Sequence, residues 1–348
     1  MPRSDTPARP KVGDVAARAG VSTGTVSNAL NHPEKVSPKT LQRVHHAIEE
    51  LGFTRNGAAS ALASGTSRTV GLVVIDLMNS LFVEMARGAQ RAARRHGFDL
   101  QLADSDNDPL QKDSHLRFLG SAQAAGILLA DLDEPDETVR ALKRDGVPVV
   151  MLNYAPEDAD YCSVAIDNEQ VGYLAASHLI ELGRHRLGFV GGLHEIQPVA
   201  LRLAGAKRAV AEHQGIELIE IDTVDLNPPS GAAAGRGILR LDPAERPDAI
   251  IAVTDLLAMA MINTFASAGV SVPGDIAVMG CDHNSMAWGG AMPLSSVAMH
   301  GQEMGEHGIR LLRRELVEPA AEHRHERVVL TPELVIREST AGRSARDS

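Results

Sequence analysis

Ser22, Thr23, Gly24, Thr25, Ser27 and Asn28 crowd into seven positions of one stretch: four short hydroxyls, a glycine and an amide, with no long side chain among them. Their chemistry is hydrogen bonding to a polyanion with readable edges. Hydroxyls and backbone N–H groups near a helix start reach phosphate oxygens, and an asparagine amide pairs bidentately with adenine. Val21, Val26, Ala29 and Leu30 supply an apolar side to the same stretch. Short polar side chains let such a helix sit deep in a duplex groove. A small structural three-helix domain would show the same pattern, and these residues alone leave both readings open.

The elements that would position this face are legible around it. Val12, Val15 and Ala16 recur at helical spacing, and Gly20 breaks that helix. Ser22 is a natural N-cap for a helix over 23–30, which Asn31-His32-Pro33 stops. Ser37, with Pro38 at the first helical position, starts a third helix that runs to about residue 51; Leu41, Val44, Ile48 and Leu51 form its stripe. Two helices joined by a tight glycine turn inside a basic three-helix unit make a helix-turn-helix arrangement. An Ala-rich stretch over 57–64 follows. It is too short to hold a helix alone in water, so it reads as a helix conditional on a partner.

Charge divides the chain in the same place. The first 68 residues carry nine Lys and Arg against five acids, while the whole chain of 348 residues carries 34 against 45 and a formal charge of −11. A basic head on an acidic body suits a head that meets a polyanion, although a solvated basic surface is equally compatible with charge alone. Beyond residue 69 short apolar runs (70–75, 100–102, 126–129, 147–152, 187–190, 216–221, 249–253, 276–279) alternate with helical segments (81–96, 110–124, 169–182, 201–213, 255–268, 302–316). Alternating strand and helix predicts parallel α/β sheets, and the length accommodates two such lobes. Ligands of such sheets sit beyond the carboxyl ends of the strands.

Other chemistries are excluded or weak. There is no phosphate loop of the G-x-x-x-x-G-K-[ST] type and no G-x-S-x-G nucleophile elbow, so no enzyme is expected and no cofactor is implied. Cys162 and Cys281 are the only cysteines; they form no metal spacing and suit a reducing cytoplasm. Glu322-His323-Arg324-His325-Glu326 hints at a metal. A solvated strand approach to Val328 is the favoured reading, however, and no metal site is expected. No apolar run approaches the roughly 20 residues that span a bilayer, and the polar, Pro-rich start is no secretory signal; no membrane partner is expected.

The motifs Gly13-Asp14-Val15-Ala16, Gly20-Val21-Ser22, Thr25-Val26-Ser27, Leu30-Asn31 and Val36-Ser37 fall in the order and spacing of the lactose-repressor (LacI/GalR-type) family. Ile48-Glu49-Glu50-Leu51-Gly52-Phe53, Ala58-Ala59-Ser60-Ala61-Leu62, Phe189-Val190-Gly191-Gly192 and Leu334-Val335-Ile336-Arg337-Glu338-Ser339-Thr340 continue it, so the chain resembles that family over about residues 11–340. The resemblance implies an all-α helix-turn-helix head (11–56), a hinge helix and linker (57–68), and a two-lobed α/β body like a periplasmic binding protein (69–340). It implies a DNA-binding transcriptional regulator, a repressor, that binds a double-stranded palindromic operator as a homodimer and is switched by a small polar effector such as a sugar. A cytoplasmic solute-binding protein without a DNA role is the alternative.

By the same resemblance Thr23, Gly24 and Asn28 read bases. Ser22, Thr25, Ser27, Asn31 and Ser37 touch phosphates, Phe53 and Asn56 lie just before the hinge, and Ala59 and Leu62 belong to it, Leu62 as a minor-groove wedge. The implied effector residues are Asn79, Phe82, Asp131 and Asn153 on the first lobe and Arg202, Thr254, Asp282 and His300 on the second. Carboxylates, amides and an Arg at strand ends suit hydroxyl recognition, and Phe82 offers a face for a sugar ring. Each also has a structural use: Asn79 as a helix cap, Asp131 in a solvated acidic loop, Arg202 in an ion pair, Asp282 in a turn, Leu62 in packing.

Overall fold

The computed structural model describes residues 10–53, 67–122, 124–157, 159–192, 195–283, 292–319 and 321–342. The chain divides into two units, Met1–Ser67 and Arg68–Ser348.

The first unit holds helices α1 (Val12–Ala19), α2 (Thr23–Asn31) and α3 (Pro38–Leu51). Gly20 ends α1 at φ 63°, a left-handed conformation that glycine adopts without steric cost, and its N–H closes onto the carbonyls of Ala16 and Ala17. Ser22 Oγ accepts from Thr25 N at 3.1 Å and starts α2. Ser37 Oγ accepts from Thr40 N at 3.3 Å and starts α3. Val15, Ala19, Val26, Ala29, Val44, Ala47 and Phe53 form one core, so the three helices are held by their apolar stripes.

In the second unit, the first lobe carries β1 (Thr69–Val74), β2 (Asp99–Asp104), β3 (Gly126–Ala130), β4 (Val149–Leu152) and β5 (Ser163–Ile166). The second carries β6 (Arg186–Val190), β7 (Glu217–Ile221), β8 (Ala249–Ala252), β9 (Ala277–Asp282) and β10 (Ser295–Ala298). The chain then returns β11 (Arg327–Leu330) to the first sheet and β12 (Glu333–Val335) to the second, giving orders β11-β5-β4-β3-β1-β2 and β12-β10-β9-β8-β6-β7. The pairings are parallel except β10 with β12. β3 and β8 are buried along their whole length, as central strands covered on both faces must be.

Helices α4 (Ser80–Arg95), α5 (Pro109–Ser121), α6 (Glu137–Arg144) and, later in the chain, α11 (Gly301–Val317) cover the first sheet. Between them in sequence, α7 (Asn168–Glu181), α8 (Gln197–Ala211), α9 (Pro228–Arg240) and α10 (Asp255–Ser267) belong to the second lobe, which α12 (Glu338–Ala341) completes. The chain therefore passes between lobes three times: after β5, after β10 and after β11. Among the described residues no helix is long and apolar enough to cross a membrane.

The structure corrects the sequence reading of 322–326. These residues are turn and coil, with His323 N bonded to Pro319 O, and the strand starts only at Arg327. The two histidines are thus free of strand alternation, and their rings meet edge to face at 4.8 Å.

Candidate functional site

In the head, Val26 and Ala29 turn inward while Ser22, Thr23, Gly24, Ser27 and Asn28 stay exposed and Thr25 is half-buried. Ser37 is exposed at the start of α3. Ser22 Oγ lies 2.9 Å from Thr25 Oγ1, so the two hydroxyls are fixed together at the α2 N-terminus. An exposed helix start with short donors is a ready anion site. Phe53 is a correction. It is 9% exposed and packs in the head core, so its side chain serves stability rather than a nucleic-acid surface. The Asn31 side chain and residues Asn56, Ala59 and Leu62 lie outside the described residues.

In the body, a cleft of about 290 Å³ opens where the strands of both lobes end. It contains Asn79, Phe82, Asn153, Arg202, Thr254 and Asp282 from the sequence expectations. Asn79 and Phe82 come from the start of α4, Asn153 from the end of β4, Arg202 from α8, Thr254 from the cap of α10, and Asp282 from the end of β9. All but Arg202, which stands in the second turn of α8, lie on a strand end or a helix start, where an open parallel sheet places its ligands.

The floor is a buried polar network. Asn79 Nδ2 donates to Asp282 Oδ2 at 3.0 Å across the two lobes, while Asn79 Oδ1 accepts from Leu81 N at 3.0 Å and caps α4. Arg202 Nη1 stands 4.0 Å from Asp282 Oδ1. Arg202 Nε donates to Asn168 Oδ1 at 2.9 Å, and Nη1 also donates to Val253 O. Burial pushes the Asp282 carboxyl up to about 7; Arg202 and the Asn79 amide oppose that rise, and Asp255 adds to it. Asp282 sits at φ 147° and Asn153 at φ 61°, conformations that cost a non-glycine residue about 1–3 kcal/mol and concentrate at binding sites. Asn153 Oδ1 is buried without a hydrogen-bond partner among the described residues. A ligand hydroxyl is the group that would satisfy it. Thr254 is partly occupied, since its Oγ1 accepts from Leu257 N at 3.3 Å.

Asp131 and His300 do not line the cleft. Lys112 Nζ takes the Asp131 carboxylate at 2.8 Å and Asp136 at 3.0 Å. Against burial, which lowers it, hydrogen bonds and charge from these two acids hold the Lys112 ammonium above its usual range. His300 stands at φ 53° before α11, beside Glu84, Gln302 and Glu303 in a separate shallow depression.

Sequence reasoning missed Asp76, Asp106, Asn107, Asp225 and Asn227, which also line the cleft. They follow β1, β2 and β7, so the strand-end rule was sufficient to find them. Burial raises the Asp76 carboxyl, a backbone hydrogen bond from Met78 opposes that, and the charges of Asp104, Asp106 and Asp225 add to the rise.

Residues 11–56 match the model of bacterial regulatory proteins of the lacI family, and residues 176–340 match a periplasmic binding protein-like domain. The HTH-type transcriptional repressor PurR of Photobacterium profundum is 32% identical over 330 residues, covering 94% of this chain and 97% of that one. The chain belongs to the LacI family. As a LacI-family protein it is a DNA-binding transcriptional regulator, and the alternative of a solute-binding protein without a DNA role is set aside by the match to its head. Catabolite control protein A of Priestia megaterium is 33% identical over 307 residues, 86% of this chain and 91% of that one. Among solved structures, the regulator CelR in complex with cellobiose has a TM-score of 0.70 at 30% identity, over 95% of this chain and 100% of that one. The lac repressor dimer bound to operator and an anti-inducer has a TM-score of 0.82 at 22% identity, over 95% of this chain and 99% of that one, a likeness of fold. The LacI-family architecture of helix-turn-helix head and two-lobed α/β body is the one built above from the residues.

Proposed function

We propose that this LacI-family regulator is a repressor that binds a palindromic operator as a homodimer and is switched by a neutral sugar held in the cleft. The observation that carries the effector class is the charge of the lining. Asp76, Asp106, Asp225 and Asp282 face one guanidinium, Arg202, and that guanidinium is already engaged by Asn168 and Val253. Sugar hydroxyls donate well to such carboxylates. A phosphorylated sugar meets like charge on several sides and finds Arg202, the one cation among the described lining residues, occupied. Phe82, Leu81, Ile196 and Leu226 give the ring apolar walls, and the cellobiose held by the related CelR is in keeping with this class.

The proposed effector residues are Asn79, Phe82, Asn153, Arg202, Thr254 and Asp282, joined by Asp76, Asp106, Asp225 and Asn227; Asp131 and His300 are dropped. The proposed DNA surface is Ser22, Thr23, Gly24, Thr25, Ser27, Asn28, Asn31 and Ser37, with Asn56 just before the hinge region 57–68 and Ala59 and Leu62 within it. Acting on DNA, the protein works in the cytoplasm, a reducing compartment in which Cys162 and Cys281 form no disulfide. A thermal-shift screen tests the effector class. Neutral mono- and disaccharides should raise the melting temperature in proportion to the logarithm of their concentration above Kd. A response only to sugar phosphates or to nucleobases contradicts it.

A further inference from the structure

Cys162, Glu315, His323 and His325 bring one sulfur, one carboxylate oxygen and two imidazole nitrogens within 4.8 Å of one another. Cys162 directly precedes β5, Glu315 lies near the end of α11, and the histidines stand in the loop from α11 to β11. Cys162 Sγ is 3.4 Å from His323 Nε2 and 3.7 Å from His325 Nδ1. Glu315 Oε1 is 3.8 Å and 3.6 Å from the same two nitrogens. A tetrahedral zinc ion with ordinary bond lengths to sulfur, nitrogen and oxygen requires ligand-to-ligand edges of roughly 3.3–3.6 Å. Four of the six edges lie within a few tenths of an ångström of that range, and the other two are within 4.8 Å, which leaves the ligands a small closure to make around the ion.

The surroundings prepare these atoms as ligands. His323 Nδ1 lies 2.7 Å from Glu318 Oε2, so that its N–H donates to the carboxylate and Nε2 keeps its lone pair for the cluster. Arg314 Nε fixes Glu318 from behind at 2.9 Å. Glu326 N donates to Cys162 Sγ at 3.4 Å, as backbone amides do to metal-bound thiolates. Glu315 is 11% exposed at its side chain, and its Oε1 is buried with no hydrogen-bond partner among the described residues. A buried carboxylate oxygen in that condition is costly unless a cation faces it.

We propose that Cys162, Glu315, His323 and His325 form a structural zinc(II) site in the first lobe. The mixed thiolate, imidazole and carboxylate set selects zinc over magnesium or calcium, and four protein ligands leave no open position for a substrate. Burial pushes the free Cys162 thiol up to about 12; on binding, the thiol releases its proton to solvent and the thiolate bonds the ion. The site ties the end of α11 to the starts of β5 and β11, adjacent strands that both lead out of the first lobe toward the second. Zinc thus stiffens two of the three strands from which the chain crosses between lobes.

Cobalt(II) substitution tests this. Full-length protein stripped with EDTA and titrated with CoCl2 should bind one ion per chain, with a thiolate-to-cobalt charge-transfer band and the intense visible bands of a tetrahedral ion; ZnCl2 should bleach both. Cys162→Ser should lose the charge-transfer band, and Zn(II) should raise the melting temperature of the stripped parent but not of this variant. Glu318→Ala, on the exposed rim, should keep the bands with affinity about 10–100-fold weaker. Far-ultraviolet circular dichroism reports whether each variant is folded. Absence of the charge-transfer band in the parent, or its survival in Cys162→Ser, overturns the proposal.

Discussion

Asn79 Nδ2 donates to Asp282 Oδ2 at 3.0 Å, so the residue that starts the first lobe's α4 is bonded to the residue that ends the second lobe's β9. Both are nearly fully buried. A ligand that hydrogen-bonds to either one adds to or competes with the bond that relates the lobes. That gives an effector a route to the lobe angle without contact to the head, and couplings of this kind amount to about 1–3 kcal/mol. Asp282→Ala should therefore alter the effector's influence on DNA binding more than it alters DNA binding without effector. Operator titrations with and without sugar measure both.

Asp282 should also make stability depend on pH. Its carboxyl is held up to about 7 from an ordinary 3.8, first by burial. Between those values the folded chain keeps a proton that the unfolded chain has lost. Stability from this group is then greatest at low pH, falls as pH rises through the window, and levels off above it. Urea unfolding across pH 4–8 should show this slope in the parent and not in Asp282→Asn. A sugar hydroxyl that donates to the ionised form should bind more tightly as pH passes about 7, with proton release measurable by calorimetry in buffers of different ionisation enthalpy.

Arg202 is 4% exposed and answers to Asn168, Val253 and Asp282 together. Arg202→Ala leaves a buried carboxylate without its cation and two acceptors without donors. The expected loss is about 3–5 kcal/mol of unfolding free energy. A loss under about 1 kcal/mol in urea titrations would mean that water or a protonated Asp282 replaces the guanidinium.

Gly172 in α7 explains how Arg202 is placed. A Cβ on Gly172 would lie 1.7 Å from Arg202 O, and one on Gly205 in α8 would lie 1.8 Å from Glu169 O. The two helices therefore touch backbone to backbone. Gly172→Ala should push α8 away, cost about 1–3 kcal/mol or more, and weaken sugar binding through Arg202. Gly237→Ala in α9, where nothing lies within 4 Å of the added carbon, should be neutral or stabilising by about 0.4–1 kcal/mol. Equal effects from the two would remove the packing argument.

Much of this was legible beforehand where one local signal sufficed. Gly20, Ser22, Ser37 and Gly52 bounded the head helices because caps and left-handed stops act within one turn. β3 and β8 are apolar throughout, and β1 is apolar after Thr69. β5 (Ser-Val-Ala-Ile) and β10 (Ser-Ser-Val-Ala) passed unnoticed because they are short, and their serines give no apolar run although every residue is buried. Helix α9 opens on Pro228-Pro229 and runs through Gly and Ala, with little apolar contrast to read. Asp131, which follows β3, takes its partner Lys112 from α5, and no spacing reveals the pair. The Cys162 cluster was not legible because Cys162 lies more than 150 residues from Glu315, His323 and His325.

Asn28 should carry base discrimination. It is exposed on α2, and removing a bidentate amide costs about 1–3 kcal/mol against the correct base. Asn28→Ala should weaken operator binding by that amount and relax one position of each half-site. Ser27→Ala should instead weaken all sequences alike, as a lost phosphate contact does. Fluorescence anisotropy on single-base operator variants separates the two patterns.

The central claim is that a DNA-binding head is governed by a sugar in the cleft, and operator affinity measured with and without that sugar tests it most directly. Purified protein should bind duplex from its own promoter region at low salt, and a neutral sugar that raises its melting temperature should shift the operator Kd about fivefold or more. An operator Kd that stays the same when the cleft is saturated, or no binding to any such duplex, would contradict the account.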